Sequence, residues 1–242
     1  MPKTYICTLK LCDYVTFSST VGYANIMGVT YTVYKPQPYL HNYPLMYGFG
    51  GLLYASLASP HVETTEIDYS FLDEVEKKIY VYPARPRGIA LRRMLLNIKG
   101  EGAVEVVQPK PKSMYPWHVV HFCFAPGSVF ETVVVTRLDN VRIPRTIRVG
   151  VKRQGVFRVM CEEALVEGYT SGSTDPVNLG DLARYKLNPD SYVVLLNTKT
   201  TKRGVPNSNT IVKAYYRESR VALLKTRSGV EFRVPLIGSV HS

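Results

Sequence analysis

The sequence lacks the features of membrane-spanning and secreted proteins. No apolar run reaches the roughly 18 residues that a transmembrane helix needs, and residues 1–4 lead directly into a strand-like pattern without a signal peptide. The four cysteines are scattered and form no CxxC pair: Cys7, Cys12, Cys123 and Cys161. We therefore expect a protein of the reducing cytoplasm, with no membrane contact, no disulfide framework and no zinc site.

The sequence also lacks the common catalytic and nucleotide-binding motifs. It contains no GxxxxGK[ST], GxGxxG, GxSxG or HExxH pattern, so we expect no cofactor, no metal and no nucleophile elbow. A histidine base and a nearby cation can cleave RNA without metal, and His41 or the pair His118 and His121 could supply that base. A lone histidine is more often structural, which favours a protein without catalysis and leaves a metal-independent endoribonuclease as the alternative.

Positive charge is what the sequence has in excess. Among 242 residues, 30 Lys and Arg stand against 19 Asp and Glu, which leaves a formal net charge of +11. The chain also contains 18 tyrosines. Cations bind polyanions by releasing counterions, and aromatic faces stack on unpaired bases. The composition therefore predicts a protein that binds nucleic acid.

The stretch from 38 to 55 predicts a helix around which the rest of the chain is organised. Asn42 is a candidate N-cap and Pro44 follows in the first turn, where its missing N–H is not needed. Apolar residues then recur at near-helical spacing toward an end near residues 59–60. Gly48 and Gly50 weaken such a helix, so we expect them to permit a close approach of another part of the molecule.

Strand-like patterns dominate the remainder of the chain. The first lies at 4–18 and carries apolar residues on both faces, which predicts a central strand. Further strands are predicted at 29–34, 78–82, 119–124, 129–135, 190–196, 210–217 and 220–235, with a turn at 125–128 and a short helix within 177–187. Residues 89–98 fit a helix or a strand, and we favour the strand. Many strands, few helices and no repeat predict one antiparallel α+β domain over 1–242, with an exposed Pro/Lys-rich arm at about 99–117.

The longest basic run, residues 142–159, has a β-strand pattern and contains no carboxylate. Gly150 and Gly155 flank the pair Lys152 and Arg153, which predicts a backbone that can approach a phosphate. Shorter basic segments surround prolines or occupy loops: Arg85 and Arg87, Lys110 and Lys112, and Lys202 and Arg203. The prolines beside Arg85 and Arg87 fix an extended backbone, so we expect both arginines to point outward.

Some of these segments are similar to a known family. Residues 40–51, with the sequence LHNYPLMYGFGG, resemble the start of the first helix in the Csc-one group, the type I-D version of the CRISPR Cas-five subunits. The strand stop YPARP at 82–86 and the run IRVGVKR at 147–153 follow in the same order. The chain departs from the family pattern at Gly50 and Gly51, where the family continues with fewer glycines.

The resemblance implies a RAMP-type fold, with a ferredoxin-like β-α-β-β-α-β core and β-rich insertions. It implies a non-catalytic subunit of the type I-D effector complex (Cascade), which caps the 5′ handle of the guide RNA (crRNA) and supports target DNA interference in antiviral defence. The implied partners are the crRNA handle, the Cas-seven-type backbone subunit and the large subunit. Target DNA near its flanking motif is a further candidate partner.

Cations, tyrosines and the His-Asn-Tyr segment together form the predicted RNA-binding set. Its members are His41, Asn42, Tyr43, Arg85, Arg87, Lys110, Lys112, Arg142, Arg145, Arg148, Lys152, Arg153, Lys202 and Arg203. Tyr43 is the candidate for stacking on a splayed base. The acidic segment 63–78 cannot contact RNA, so we expect it, through residues such as Glu74 and Glu76, to face a protein partner.

Overall fold

A computed structural model describes residues 3–15, 21–26, 29–34, 37–50, 70–97, 118–137, 142–150, 155–197 and 210–237. Its strands are β1 Lys3–Leu11, β2 Val21–Ile26, β3 Val29–Tyr34, β4 Ile79–Val81, β5 Arg85–Gly88, β6 Leu91–Asn97, β7 His118–Phe124, β8 Val129–Thr136, β9 Thr146–Val149, β10 Gly155–Asn178, β11 Ser191–Asn197, β12 Thr210–Thr226 and β13 Glu231–Val234. Its helices are α1 Asn42–Gly50, α2 Ser70–Glu76 and α3 Leu179–Arg184. The predicted end of the first helix and the arm at 99–117 lie outside the described residues.

The larger sheet is antiparallel and has β1 near its centre. Its main path runs β11-β12-β10-β1-β8-β4, with β13 paired to β12, β5 to β8 and β9 to β10. Three consecutive odd-numbered side chains of β1, those of Cys7, Leu9 and Leu11, are buried, and Ile6 is buried on the other face. The prediction of a central first strand is therefore confirmed, and so is the antiparallel α+β class.

The strands around β1 follow a split β-α-β arrangement. The chain passes from β1 through α1 to β4, and β8 lies between these two strands, antiparallel to both. A later connection joins β8 to β10, and these two strands lie on either side of β1. Within its described residues, 142–150, that connection forms β9 and contains no helix. This arrangement is consistent with a RAMP-type fold.

A smaller sheet is formed by the two insertions between the core strands. Its order is β2-β3-β7-β6, with β3 and β7 parallel and the other pairs antiparallel. A β-bridge between Val15 and Phe124 ties it to the end of β1. The segment 89–98, which fitted helix or strand, is therefore a strand, as predicted.

Two glycines let α1 pack closely on its neighbours. A Cβ atom at Gly48 would lie 3.0 Å from Val149 Cγ1, and one at Gly50 would lie 2.7 Å from Val75 Cγ2. Both distances are shorter than an ordinary van der Waals contact. β9 and α2 can therefore approach the helix this closely only because Gly48 and Gly50 have no side chain. The predicted role of these glycines in close approach is confirmed.

Two strands are longer than their sequence patterns indicated. β12 covers the strand predicted at 210–217 and continues into the one predicted at 220–235, where β13 follows, and it pairs along β10 through three register shifts. The second of these shifts involves Gly172 at φ 121°, a conformation that favours glycine. These irregularities bend both strands and hide their continuity from a pattern of strict alternation.

Cys7 and Cys161 form a disulfide between β1 and β10, which corrects the expectation of a chain without disulfides. The two residues are directly opposite each other in the register of the two strands. Sequence spacing could not reveal this pair because 154 positions separate its members. Cys12 is a free exposed cysteine and Cys123 a free buried one.

Gly155 has a packing role in the structure, and its predicted role in phosphate approach stays a prediction. A Cβ atom there would lie 2.4 Å from Val15 Cγ2 and 2.9 Å from the carbonyl oxygen of Val149. We predict that Gly155→Ala lowers the free energy of unfolding by about 1–3 kcal/mol through overpacking. Urea unfolding followed by fluorescence measures the effect.

Gly168→Ala in the same strand is the matched control, since nothing lies within 4 Å of a Cβ atom at that position. Its free energy of unfolding should stay at or slightly above that of the wild type. Equal losses in the two variants would contradict the packing role of Gly155.

Candidate nucleic-acid interface

A row of cations crosses three neighbouring strands on one face of the larger sheet. Lys10 of β1 is directly opposite Arg158 of β10, and Arg158 is directly opposite Thr146 of β9. Directly opposite residues of antiparallel strands project from the same face, and Arg148 follows Thr146 on that face by strand alternation. All four side chains are exposed. We call Lys10, Arg158 and Arg148 the cationic row.

The cationic row is exposed because the opposite face of the same strands packs against the core. Ile147 and Val149, which alternate with the exposed residues of β9, are buried against α1 at Gly48. Phe157, next to Arg158, is fully buried as well. The hairpin is therefore fixed apolar side inward, and its cations can only project into solvent.

The side chains of the cationic row have no ion pair or hydrogen bond with any residue in the described part of the chain. The same holds for Arg142 and Arg145, which are exposed and directly precede β9. Uncompensated cations on one face create a positive potential that attracts polyanions. This surface can therefore bind phosphates without first breaking a salt bridge.

Arg85 and Arg87 differ from the cationic row because each already forms a salt bridge with a carboxylate. Arg85 is bonded to Glu131 at 2.9 Å and to Asp175 at 2.8 Å, and its guanidinium lies 3.8 Å from the ring centroid of Phe232. Arg87 shares Glu131 at 2.9 Å. The expectation that both point outward is wrong for Arg85, which is half-buried and joins β5, β8 and β10.

The basic sequence continues beyond β9, in the segment that leads to β10. Gly150 adopts φ 95° where β9 ends, as the turn requires. Lys152 and Arg153 follow but lie outside the described residues, as do Lys110, Lys112, Lys202 and Arg203. Their predicted RNA contacts stay predictions.

Asn42 and Tyr43 face the interior, which corrects their predicted role in RNA contact, whereas that of His41 stays a prediction. Asn42 is 0% exposed and Tyr43 is 1% exposed, so neither presents a surface to a base or a phosphate. His41 is partly buried, and its Nδ1 accepts a hydrogen bond of 3.2 Å from the backbone N–H of Tyr43. His41 therefore caps α1 in the place expected for Asn42.

Asn42 and Tyr43 are held by the carboxylate of Asp181, which is 1% exposed. Asp181 accepts hydrogen bonds from Asn42 Nδ2 at 2.7 Å, Tyr43 Oη at 2.9 Å and Tyr80 Oη at 2.8 Å. Asn178 closes the cluster: its Nδ2 donates to Asn42 Oδ1 at 2.9 Å, and its Oδ1 caps α3 at Gly180 and Asp181. Burial, and next the charge of Asp181, raise the pKa of Tyr80, so this hydroxyl remains a donor.

The described acidic residues of 70–78 are bonded within the chain. Glu76 is 2% exposed, pairs with Arg184 at 3.1 Å and accepts a hydrogen bond from Tyr185. Burial, and next the charge of Glu76, raise the pKa of Tyr185 to about 12. Glu76 therefore cannot face a protein partner, which corrects that expectation; Glu74 is exposed and pairs with Lys77.

Sequence reasoning left Lys10 and Arg158 out of the predicted set. Arg158 belongs to the basic run, but Lys10 lies in a strand that is otherwise apolar and almost 150 residues away. The signal that could have found it is the alternation in β1, which puts Lys10 on the face opposite Leu9 and Leu11. Only the register of β1 with β10 joins the two cations.

A comparison with protein-family models identifies the chain. Residues 2–219 match the family described as type I-D CRISPR-associated protein Cas5/Csc1. The chain belongs to this family. The resemblance seen in the helix and in the basic run is thereby confirmed, and with it a place among type I-D CRISPR effector subunits. No curated protein matches the chain.

The described residues offer neither a membrane-spanning helix nor a metal site. None of the helices in the described ranges is long and apolar enough to cross a membrane. Among the same residues, no group of three or more His, Cys, Asp and Glu side chains could hold a metal ion.

We predict that Tyr43→Phe lowers stability but leaves RNA affinity unchanged. The variant loses a buried hydrogen bond to a carboxylate, which typically contributes about 1.5–3 kcal/mol, while the cationic row is untouched. Thermal unfolding and RNA titration of the same preparation measure both quantities. A loss of RNA affinity at wild-type stability would instead restore Tyr43 as a contact residue.

Proposed function

We propose that this Cas5/Csc1 family member is a non-catalytic subunit of the type I-D effector complex that binds the 5′ handle of the crRNA. The handle lies as an irregular single strand across the cationic row and along the β9–β10 hairpin. By holding that end of the guide in the complex, the subunit supports interference with target DNA in the cytoplasm.

The single observation that carries the proposal is the uncompensated charge of the cationic row. Three cations from three strands lie on one exposed face, and none has an acidic partner in the described ranges. By contrast, Arg85, Arg87 and Arg184 are paired within the chain.

The arrangement suits a single strand better than a reader of duplex grooves. Opposite residues on adjacent strands lie about 5 Å apart, so the row can follow successive phosphates of an extended backbone. The described part of this face offers no helix for a major groove. Specificity for the handle would then arise from splayed bases and from the basic sequence segments at 151–154 and 198–209.

We further propose that the core is a ferredoxin-like RAMP domain and that the remaining surface contacts the Cas-seven-type and large subunits. The split β1-α1-β4 unit with β8 between its strands supports the first point. The arm at 99–117 remains the candidate for reaching a neighbouring subunit, and target DNA near its flanking motif remains a further candidate partner.

We propose a role without catalysis because His41, the histidine within the family motif, makes contacts that stabilise the fold. Its Nδ1 caps α1, and its ring lies 4.9 Å from that of Tyr43, centroid to centroid. A base needs a free nitrogen within hydrogen-bond reach of the proton it abstracts. His118 and His121 both lie on β7, so the endoribonuclease stays the alternative.

The test compares Arg148→Ala/Arg158→Ala with the wild type in binding a labelled 5′-handle RNA across a salt series. Losing two phosphate contacts should weaken binding at least tenfold and make the slope of log K against log salt shallower by about 1.4. A scrambled RNA of equal length reports how much of the affinity depends on sequence.

Lys213→Ala/Arg217→Ala is the matched control, since it removes two exposed cations from one face of β12. It should leave affinity within about twofold and the slope nearly unchanged. Equal losses in the two double variants would mean that net charge alone binds RNA, which contradicts the proposal.

The same RNA, incubated in single turnover without metal, separates a binding subunit from a nuclease. The proposal expects the labelled RNA to remain intact. Cleavage that disappears in His41→Ala would establish the endoribonuclease and overturn the non-catalytic role.

A further inference from the structure

We propose that the Cys7–Cys161 disulfide is a redox-labile staple between β1 and β10 that small thiols open from the Cys161 side. The two cysteines share the bond but not the environment. Cys7 is 0% exposed, whereas Cys161 is only partly buried. Cys161 is therefore the cysteine of the pair that lies nearer to solvent.

The approach to Cys161 is a groove at the edge of the larger sheet. Tyr5, Ile143, Arg145 and Arg158 line it together with Cys161. At this point β10 has left β9, which pairs with residues 155–158, and has not yet met β12, which pairs from Ala164 onward. The gap between the two partner strands leaves this side of Cys161 without a covering strand.

The charges of the groove favour thiol–disulfide exchange. The side chain of Arg145 carries no acidic partner within the described ranges. A cation that lines the groove attracts an incoming thiolate. A bond buried on both sides in an apolar core would lack this advantage.

The exchange balances with a dithiol as reductant. Its thiolate attacks Cys161 Sγ, the Sγ–Sγ bond breaks, and Cys7 leaves as a thiolate that takes up a proton from water. The second thiolate of the reductant then attacks the mixed disulfide and releases Cys161. Two electrons pass to the protein, which gains two thiols, and the dithiol becomes a cyclic disulfide.

The staple closes a long loop and lies at the centre of the sheet. Its cysteines are separated by 154 positions, and cross-links over long loops restrict the unfolded chain most. Complete reduction should therefore lower the Tm by roughly 10 °C. This expectation depends on no property of RNA and holds whether or not the proposed function is correct.

Thiol counting and alkylation test the proposal on the full chain. Denatured, non-reduced protein should contain two free thiols, those of Cys12 and Cys123, and four after treatment with a dithiol. Native protein incubated with the monothiol glutathione should carry the mixed disulfide on Cys161 and not on Cys7, as shown by peptide mass spectrometry.

Two single variants form the matched comparison. Cys7→Ser leaves Cys161 as a thiol, which a maleimide should label in the native state at least about tenfold faster than it labels Cys7 in Cys161→Ser. Within each sample, exposed Cys12 and buried Cys123 serve as fast and slow references. Both variants should have the lowered Tm, which shows that the bond and not one side chain is responsible.

Three results would overturn the proposal. Four free thiols in the non-reduced protein would mean that the bond does not form. Reduction only after unfolding would mean a permanent staple, and equal labelling rates in the two variants would remove the preference for Cys161.

Discussion

A buried carboxylate links parts of this molecule that are far apart in the sequence. Asp181 lies at the start of α3 and accepts hydrogen bonds from two residues of α1 and one of β4. α1 and β4 belong to the split unit built on β1, whereas α3 follows the long strand β10. A buried carboxyl group is tolerated at this depth only because several donors surround it. Each donor left without its acceptor would cost about 1–3 kcal/mol.

The ion pairs of Arg85 repeat this design elsewhere in the sheet. Its guanidinium connects Glu131 of β8 with Asp175 of β10 and stacks on Phe232 of β13. These buried and half-buried charges are paired and hold the fold, whereas the exposed cations of the cationic row carry no acidic partner within the described ranges.

The sequence was informative wherever one element could be recognised by itself. The first strand, the helix at Asn42, the close-approach glycines and the short helix α3 all follow local periodicity or local chemistry, and the structure contains them. It was misleading for Asn42 and Tyr43, because a polar pair in a family motif looks the same whether it faces solvent or a buried carboxylate. The partner, Asp181, is more than 130 residues away.

The candidate site shows the same limit. Arg145 and Arg148 could be found from the basic run alone, but the cationic row needs the register that puts Lys10 beside Arg158. The disulfide needs that register too, since Cys7 and Cys161 are opposite each other in the same pair of strands. Pairing between distant strands is a property of the assembled sheet, and single-strand patterns do not contain it.

The most direct test of the account is photocrosslinking of a 4-thiouridine-substituted crRNA handle in the assembled effector complex, with the linked peptides mapped by mass spectrometry. The account predicts crosslinks within residues 3–11 and 142–160, the segments that carry the cationic row. Crosslinks confined to β11 and β12, with none on that hairpin, would contradict it.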